Sequence, residues 1–143
     1  MSTTVYESKS AEETRAIGEE LGRKALPGQI IAFRAEMGAG KTVFSQGFAR
    51  GLGISGPVNS PTFTLLQIYE GGRLPLYHFD VYRIEDPEEM QEVGLDEYLY
   101  GDGVCLIEWS ELIDELLPAD CIKISIEKDK SDDFDHRLIK VET

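Results

Sequence analysis

Positive charge is what this chain has least of. Fourteen Lys and Arg stand against 27 Asp and Glu, a formal net charge of −13 over 143 residues. Proteins that grip nucleic acid directly use cationic side chains to displace counterions from phosphates. This chain is repelled by them on average, so any nucleic acid it serves is expected to be reached through another protein. Long apolar runs are also missing: none approaches the ~20 residues needed to cross a bilayer. The opening "MSTTVYESKS" lacks the basic-then-apolar order of a signal peptide. Cysteine is scarce, and Cys105 and Cys121 each sit alone in an apolar segment with no second Cys or His at ligand spacing. That pattern argues against a metal site at either cysteine and favours reduced, buried thiols over a disulfide. The expectation is a cytoplasmic protein with no membrane association.

Aromatic residues are not lacking. Six Phe and six Tyr in a chain of this length suffice for one core, and a single domain over 1–143 is expected. "SAEETRAIGEELGRKAL" predicts a helix, with Ser10 and Glu13 as a capping box and Thr14, Ile17, Leu21 and Ala25 on one face. Pro27-Gly28 ends it. "QIIAFRA" predicts a strand, and the following helix carries Phe44, Phe48 and Leu52 on one side. "ISGPVNSPT" reads as a loop. "FTLLQIYE" and "LPLYHFDVYR" predict a hairpin across "GGR". "DPEEMQEVG" starts a helix capped by Asp86. "GVCLIEW" predicts a strand buried on both faces. Ser110 is expected to cap a helix "ELIDELL" ending at Pro118, and "CIKISIEK" is expected to pair with "HRLIKVE". The order implies an α/β fold with a mixed parallel and antiparallel sheet flanked by helices.

Between the first strand and the second helix lies "AEMGAGKTVF". A G-x-x-x-x-G-K-[ST] loop works because successive backbone N–H groups curl around phosphate oxygens. Its lysine, here Lys41, reaches the β- and γ-phosphates, and its hydroxyl residue, here Thr42, faces Mg²⁺. Most such loops open with glycine; this one has Ala35. Alanine there would cost about 1 kcal/mol only if the position needs a positive φ. A phosphate site also needs an acid at a strand end to hold Mg²⁺ or position water. Asp80 after "LPLYHF" and Glu108 after "GVCLI" both qualify, and the spacing alone does not divide their roles. A strand-end acid by itself is commonly just solvated; two of them beside Lys41 and Thr42 point to chemistry. His78, on the strand face away from Phe79, reads as packing.

No [NT]-K-x-D element is present to read guanine, nor an arginine-rich lid of the small-molecule kinase type, so adenine is the default nucleotide by elimination. A small-molecule or nucleoside kinase and a non-enzymatic, nucleotide-gated binding module are the alternatives to an ATPase. The first needs an acceptor pocket and lid; the second needs no strand-end acid.

Taken together, "GAGKTVFSQGFARGLGI", "NSPTFTL", "LYHFDVYR", "GLDEYL" and "LIEWSE" resemble the TsaE (YjeE) family in order and spacing over residues 10 to 118, and more loosely to the end. These are small bacterial P-loop ATPases of tRNA threonylcarbamoyladenosine (t6A) synthesis. The resemblance implies a P-loop NTPase fold, with Met37, Gly38, Ala39, Gly40, Lys41 and Thr42 around ATP. It implies Thr42 and Glu108 at Mg²⁺, and Lys41, Asp80 and Glu108 as the catalytic set. Thr62 would belong to a switch loop, and Trp109 would support the site or a partner surface. Ala11 and Arg137 would lie near the base. The implied partners are TsaD and TsaB, with tRNA met only indirectly through them, and hydrolysis weak alone and stimulated by the partners. Ala35 and the acidic turn "DKSDDFD" depart from the family pattern.

Overall fold

The computed structural model describes residues 2–35, 40–55, 66–82, 84–128 and 136–143. Seven strands among these form one sheet. In chain order they are β1 (Thr3–Ser8), β2 (Ile30–Ala35), β3 (Leu66–Tyr69), β4 (Leu76–Asp80), β5 (Val104–Glu108), β6 (Ile122–Lys128) and β7 (Arg137–Glu142), arranged β1-β7-β6-β2-β5-β4-β3. The centre, β6-β2-β5-β4, is parallel, and both flanks are antiparallel. The mixed sheet and both expected hairpins are therefore present. β5 runs through the middle with all five residues buried, as an unbroken apolar strand requires.

Side-chain alternation divides the core into two layers. Ile31, Phe33, Leu76, Val104 and Leu106 face α1 (Ala11–Lys24) and α2 (Lys41–Gly51), meeting Phe44, Phe48 and Leu52. Ile30, Phe79, Cys105 and Ile107 face the other way, onto α3 (Glu89–Val93), α4 (Leu95–Leu99) and a 3-10 segment at Ser110–Leu116. Phe33 stacks on Phe44 with centroids 5.2 Å apart, and Phe44 on Phe48 at 6.4 Å. This column holds the start of α2 over the end of β2.

Ser10 caps α1, its Oγ accepting from Glu13 N at 3.1 Å. The reciprocal half of the expected box is displaced by one residue, because the Glu13 carboxylate accepts from Lys9 N rather than from Ser10 N. The buried line of α1 also differs from expectation: Thr14, Gly18 and Gly22 are buried, while Ile17 and Leu21 are partly covered. The cause is backbone-to-backbone packing. A Cβ on Gly22 would sit 2.2 Å from Phe48 O, and one on Gly47 would sit 2.1 Å from Arg15 O. Helices this close need glycine on both sides.

Two further expectations are corrected. "ELIDELL" is not an α-helix capped by Ser110. Trp109 precedes it in the left-handed region, the segment is 3-10, Ile113 breaks it at φ −130°, and Ser110 lies inside it. Asp86 accepts from Glu88 N through Oδ1 at 3.0 Å, but it closes a turn, and the regular helix begins later at Glu89. The polar N-terminus, to which the sequence reading assigns no element, is an edge strand paired with β7. Among the described residues no helix is long and apolar enough to cross a membrane.

Gly22→Ala is expected to lower the unfolding free energy by about 1–3 kcal/mol, because a backbone carbonyl cannot rotate away from the added methyl. Urea denaturation measures this, and an unchanged midpoint would mean that α1 and α2 do not meet so closely.

Candidate functional site

β2 ends at Ala35 and α2 begins at Lys41, with Gly40 between loop and helix at φ 102°, ψ 25°. That left-handed conformation is open to glycine at little cost. Gly40 O accepts the first helical bond, from Phe44 N at 3.0 Å. Lys41 and Thr42 thus open a helix whose partly positive end faces the edge where the parallel strands finish. Met37, Gly38 and Ala39 lie outside the described residues, as does Thr62. Ala35 is a regular strand residue opposite Ile126. Among the described residues Trp109 is the sole non-glycine with positive φ, so alanine at 35 is unstrained.

The two expected acids come together. Asp80 and Glu108 are register partners at the last positions of β4 and β5. Both follow the alternation of Leu76 and Leu106, so both project into the layer that holds α2 and Lys41. In an open α/β sheet, the carboxyl ends of parallel strands are where ligands bind.

The environments of the two acids differ. Asp80 Oδ1 accepts from Tyr82 N at 3.0 Å. Burial is the main reason its carboxyl is held above the ordinary range; Glu108 adds to the rise, while the Tyr82 bond, Lys41 and His78 oppose it. Glu108 is 1% exposed, and neither of its carboxyl oxygens makes a hydrogen bond among the described residues. Its nearest polar neighbour is His78 Nε2, 3.4 Å from Oε1, on a ring that is itself fully buried.

A carboxyl group buried without hydrogen-bond donors is costly unless a cation compensates it. Among the described residues no three or more His, Cys, Asp or Glu side chains are grouped to hold a metal alone.

Lys41 Nζ sits 5.5 Å from the centre of the Trp109 ring. Tyr82 packs on the other partner of this group, its ring 4.6 Å from that of Trp109. Trp109 itself is held at φ 62°, ψ 36°, a conformation that costs a non-glycine residue about 1 kcal/mol. The turn it makes carries the chain from β5 to the 3-10 segment directly beside Glu108.

Ala11 and Arg137 lie at the same edge. Ala11 opens α1, and Thr14, one turn later, hydrogen-bonds Ser8 Oγ at 2.7 Å. Thr14 Cγ2 is 3.9 Å from where a Cβ on Gly40 would stand. Arg137 faces Ser8 across the β1–β7 ladder. Two neighbours of the site were not singled out for it by sequence reasoning. His78 carried a usable signal, since it shares a strand face with Asp80 two residues on. Tyr82 carried none.

A parallel-centred sheet that brings a glycine-capped helix start and two strand-end acids to one edge defines an α/β protein of the P-loop class. The crystal structure of YdiB from Bacillus subtilis has this fold, with a TM-score of 0.84 and 41% identity over 98% of this chain and 84% of that one. The family model described as "Threonylcarbamoyl adenosine biosynthesis protein TsaE" matches residues 8–139. The chain belongs to the TsaE family. It is 48% identical to the tRNA threonylcarbamoyladenosine biosynthesis protein TsaE of Bacillus subtilis, over 90% of this chain and 80% of that protein. It is 44% identical to the protein of the same name from Treponema pallidum, over 83% and 87% respectively.

Two outcomes are expected. Ala35→Gly should leave nucleotide Kd unchanged within about threefold, because the alanine is unstrained and glycine mainly loosens a strand end; a tenfold change by calorimetry would show that this position shapes the pocket. Asp80→Asn should raise the melting temperature of the nucleotide-free, Mg²⁺-free protein at pH 7. With its native pKa above the ordinary 3.8, the stability Asp80 contributes is complete below that value and is lost as pH rises through the raised one. The gain from Asn should therefore vanish as pH falls toward 3.8.

Proposed function

We propose that this chain is the ATP-binding, ATP-hydrolysing subunit of the bacterial t6A modification system, acting in the cytoplasm with TsaD and TsaB. The observation that carries the reading is the register pairing of Asp80 with Glu108 on the face from which Lys41 and Thr42 start α2. The relatives' names support the pathway, and the arrangement of the site supports the reaction class.

On this reading residues 37 to 42 would supply the backbone N–H groups that bind the polyphosphate. Lys41 would leave the Trp109 ring to meet the β- and γ-phosphate oxygens, and the Thr42 hydroxyl and the Glu108 carboxylate would hold Mg²⁺. When bound, Mg²⁺ would neutralise charge on the phosphates. Asp80, half-buried and held toward the proton-binding state, orients the attacking water near the γ-phosphate. Ala11 and Arg137 flank the base, Thr62 responds to the γ-phosphate, and Trp109 supports the site or the partner surface beside it.

Among the described residues, Arg34 and Arg73 are held away from a role as a stabilising arginine in cis. Arg34 is paired with Asp114 at 2.6 Å, and Arg73 donates to the Gly22 and Arg23 carbonyls at 2.6 and 2.7 Å. Turnover by the isolated chain is therefore slow, and the partners accelerate it. The net charge of −13 accords with tRNA held by the partners rather than by this subunit.

ATP turnover with and without TsaB–TsaD tests this. The partners should stimulate the wild type, and Lys41→Ala and Glu108→Ala should each lose about 100-fold or more of the stimulated rate. Equal turnover with and without the partners would overturn the reading.

A further inference from the structure

His78 is an odd choice for a packing residue. It is fully buried on β4, between Leu76 and Asp80 on the same strand face and opposite Leu106 on β5. A leucine would fill that place with no polar atom to satisfy. Neither imidazole nitrogen makes a hydrogen bond among the described residues, and neither does either oxygen of Glu108. The two unsatisfied groups face each other, Nε2 to Oε1, at 3.4 Å. Two buried polar groups left open toward one another, on adjacent strands of a rigid sheet, are matched parts of one device.

We propose that His78 is a positioning residue for Glu108. Its Nε2–H donates to Oε1 when the site is loaded, which fixes the carboxyl plane and turns Oε2 toward the metal side. Hydrogen bonds at such sites are commonly long before the ligand arrives and tighten on loading. Side chains beside a metal are regularly oriented by a second hydrogen bond behind them. Both residues sit on central strands, which hold geometry better than loops do. The proposal rests on the reading of Glu108 as the carboxylate beside Mg²⁺, and it adds the residue that aims it.

The test is ADP binding by calorimetry, in excess Mg²⁺ and in EDTA, with melting temperatures, for wild type, His78→Leu, His78→Gln, His78→Asn, Glu108→Gln and the double variant His78→Leu/Glu108→Gln. In the wild type, Mg²⁺ should tighten ADP binding. His78→Leu should lose about tenfold of that tightening while its affinity in EDTA stays that of the wild type. His78→Gln, whose amide nitrogen reaches the place of Nε2, should keep most of it; His78→Asn, one methylene shorter, should not. The double variant should bind no more weakly than Glu108→Gln alone.

Full Mg²⁺ tightening in His78→Leu would overturn the proposal, as would equal losses in Mg²⁺ and EDTA or additive losses in the double variant. Should His78→Leu fail to fold, the Gln and Asn variants decide, and identical behaviour of those two overturns it. If Glu108→Gln itself keeps the Mg²⁺ tightening, the reading of Glu108 falls and the His78 proposal with it. If Glu108→Gln loses the tightening and His78→Leu does not, only the His78 proposal falls.

Discussion

The parallel ladder between β4 and β5 is the interaction on which the site depends. Its hydrogen bonds set Asp80 against Glu108, and the strand period of two then decides where both carboxyl groups point. A slip of one residue in that register would send one acid into the layer under α3 and α4, away from Lys41. The slip is prevented by burial, because it would also turn Leu106 and Ile107 to the wrong layers. The meeting of the two acids is a by-product of hydrophobic register.

On the other side of the site, α2 is anchored by two different kinds of packing. Phe44 and Phe48 stack over Phe33, which fixes the helix against the sheet. Gly47 and Gly51 meet the backbone of α1, whose Gly18 and Gly22 meet α2 in return. Together these hold the helix start, and hence Lys41 and Thr42, within reach of the strand-end acids. The first turn of α1 touches the same corner through Thr14, so Gly40, the start of α2 and the N-terminal turn of α1 pack together. The buried pair His78–Glu108 and the strained Trp109 show that this corner tolerates costs that the rest of the core avoids. Such costs concentrate at sites that act on a ligand.

Much of this was legible beforehand. Each long element carried a strong local signal: the capping serine before α1, the Phe44–Phe48–Leu52 face of α2, the unbroken apolar run of β5, and the alternation of β6. The glycine-lysine-threonine loop and the acids after two apolar strands pointed to the site without any structure. What was missed had weak or ambiguous signals. β1 is an edge strand with most of its residues exposed, and an edge that buries little imposes no alternation on its sequence. Gly18 and Gly22 look like helix weakeners until a second helix is laid against them. The segment after Trp109 has helical periodicity, but one left-handed residue at its start and a break at Ile113 turn it into a 3-10 segment.

Sequence by itself determined most of the long strands and helices, the candidate loop motif, and to which family the chain belongs, because capping, periodicity and the loop motif are all local. Only the tertiary structure decided the strand order, the meeting of Asp80 with Glu108, and the pairing of His78 behind Glu108. The last two are contacts between residues 28 and 30 positions apart, and all of them arise from how strands choose neighbours to bury two faces at once, which no local pattern encodes.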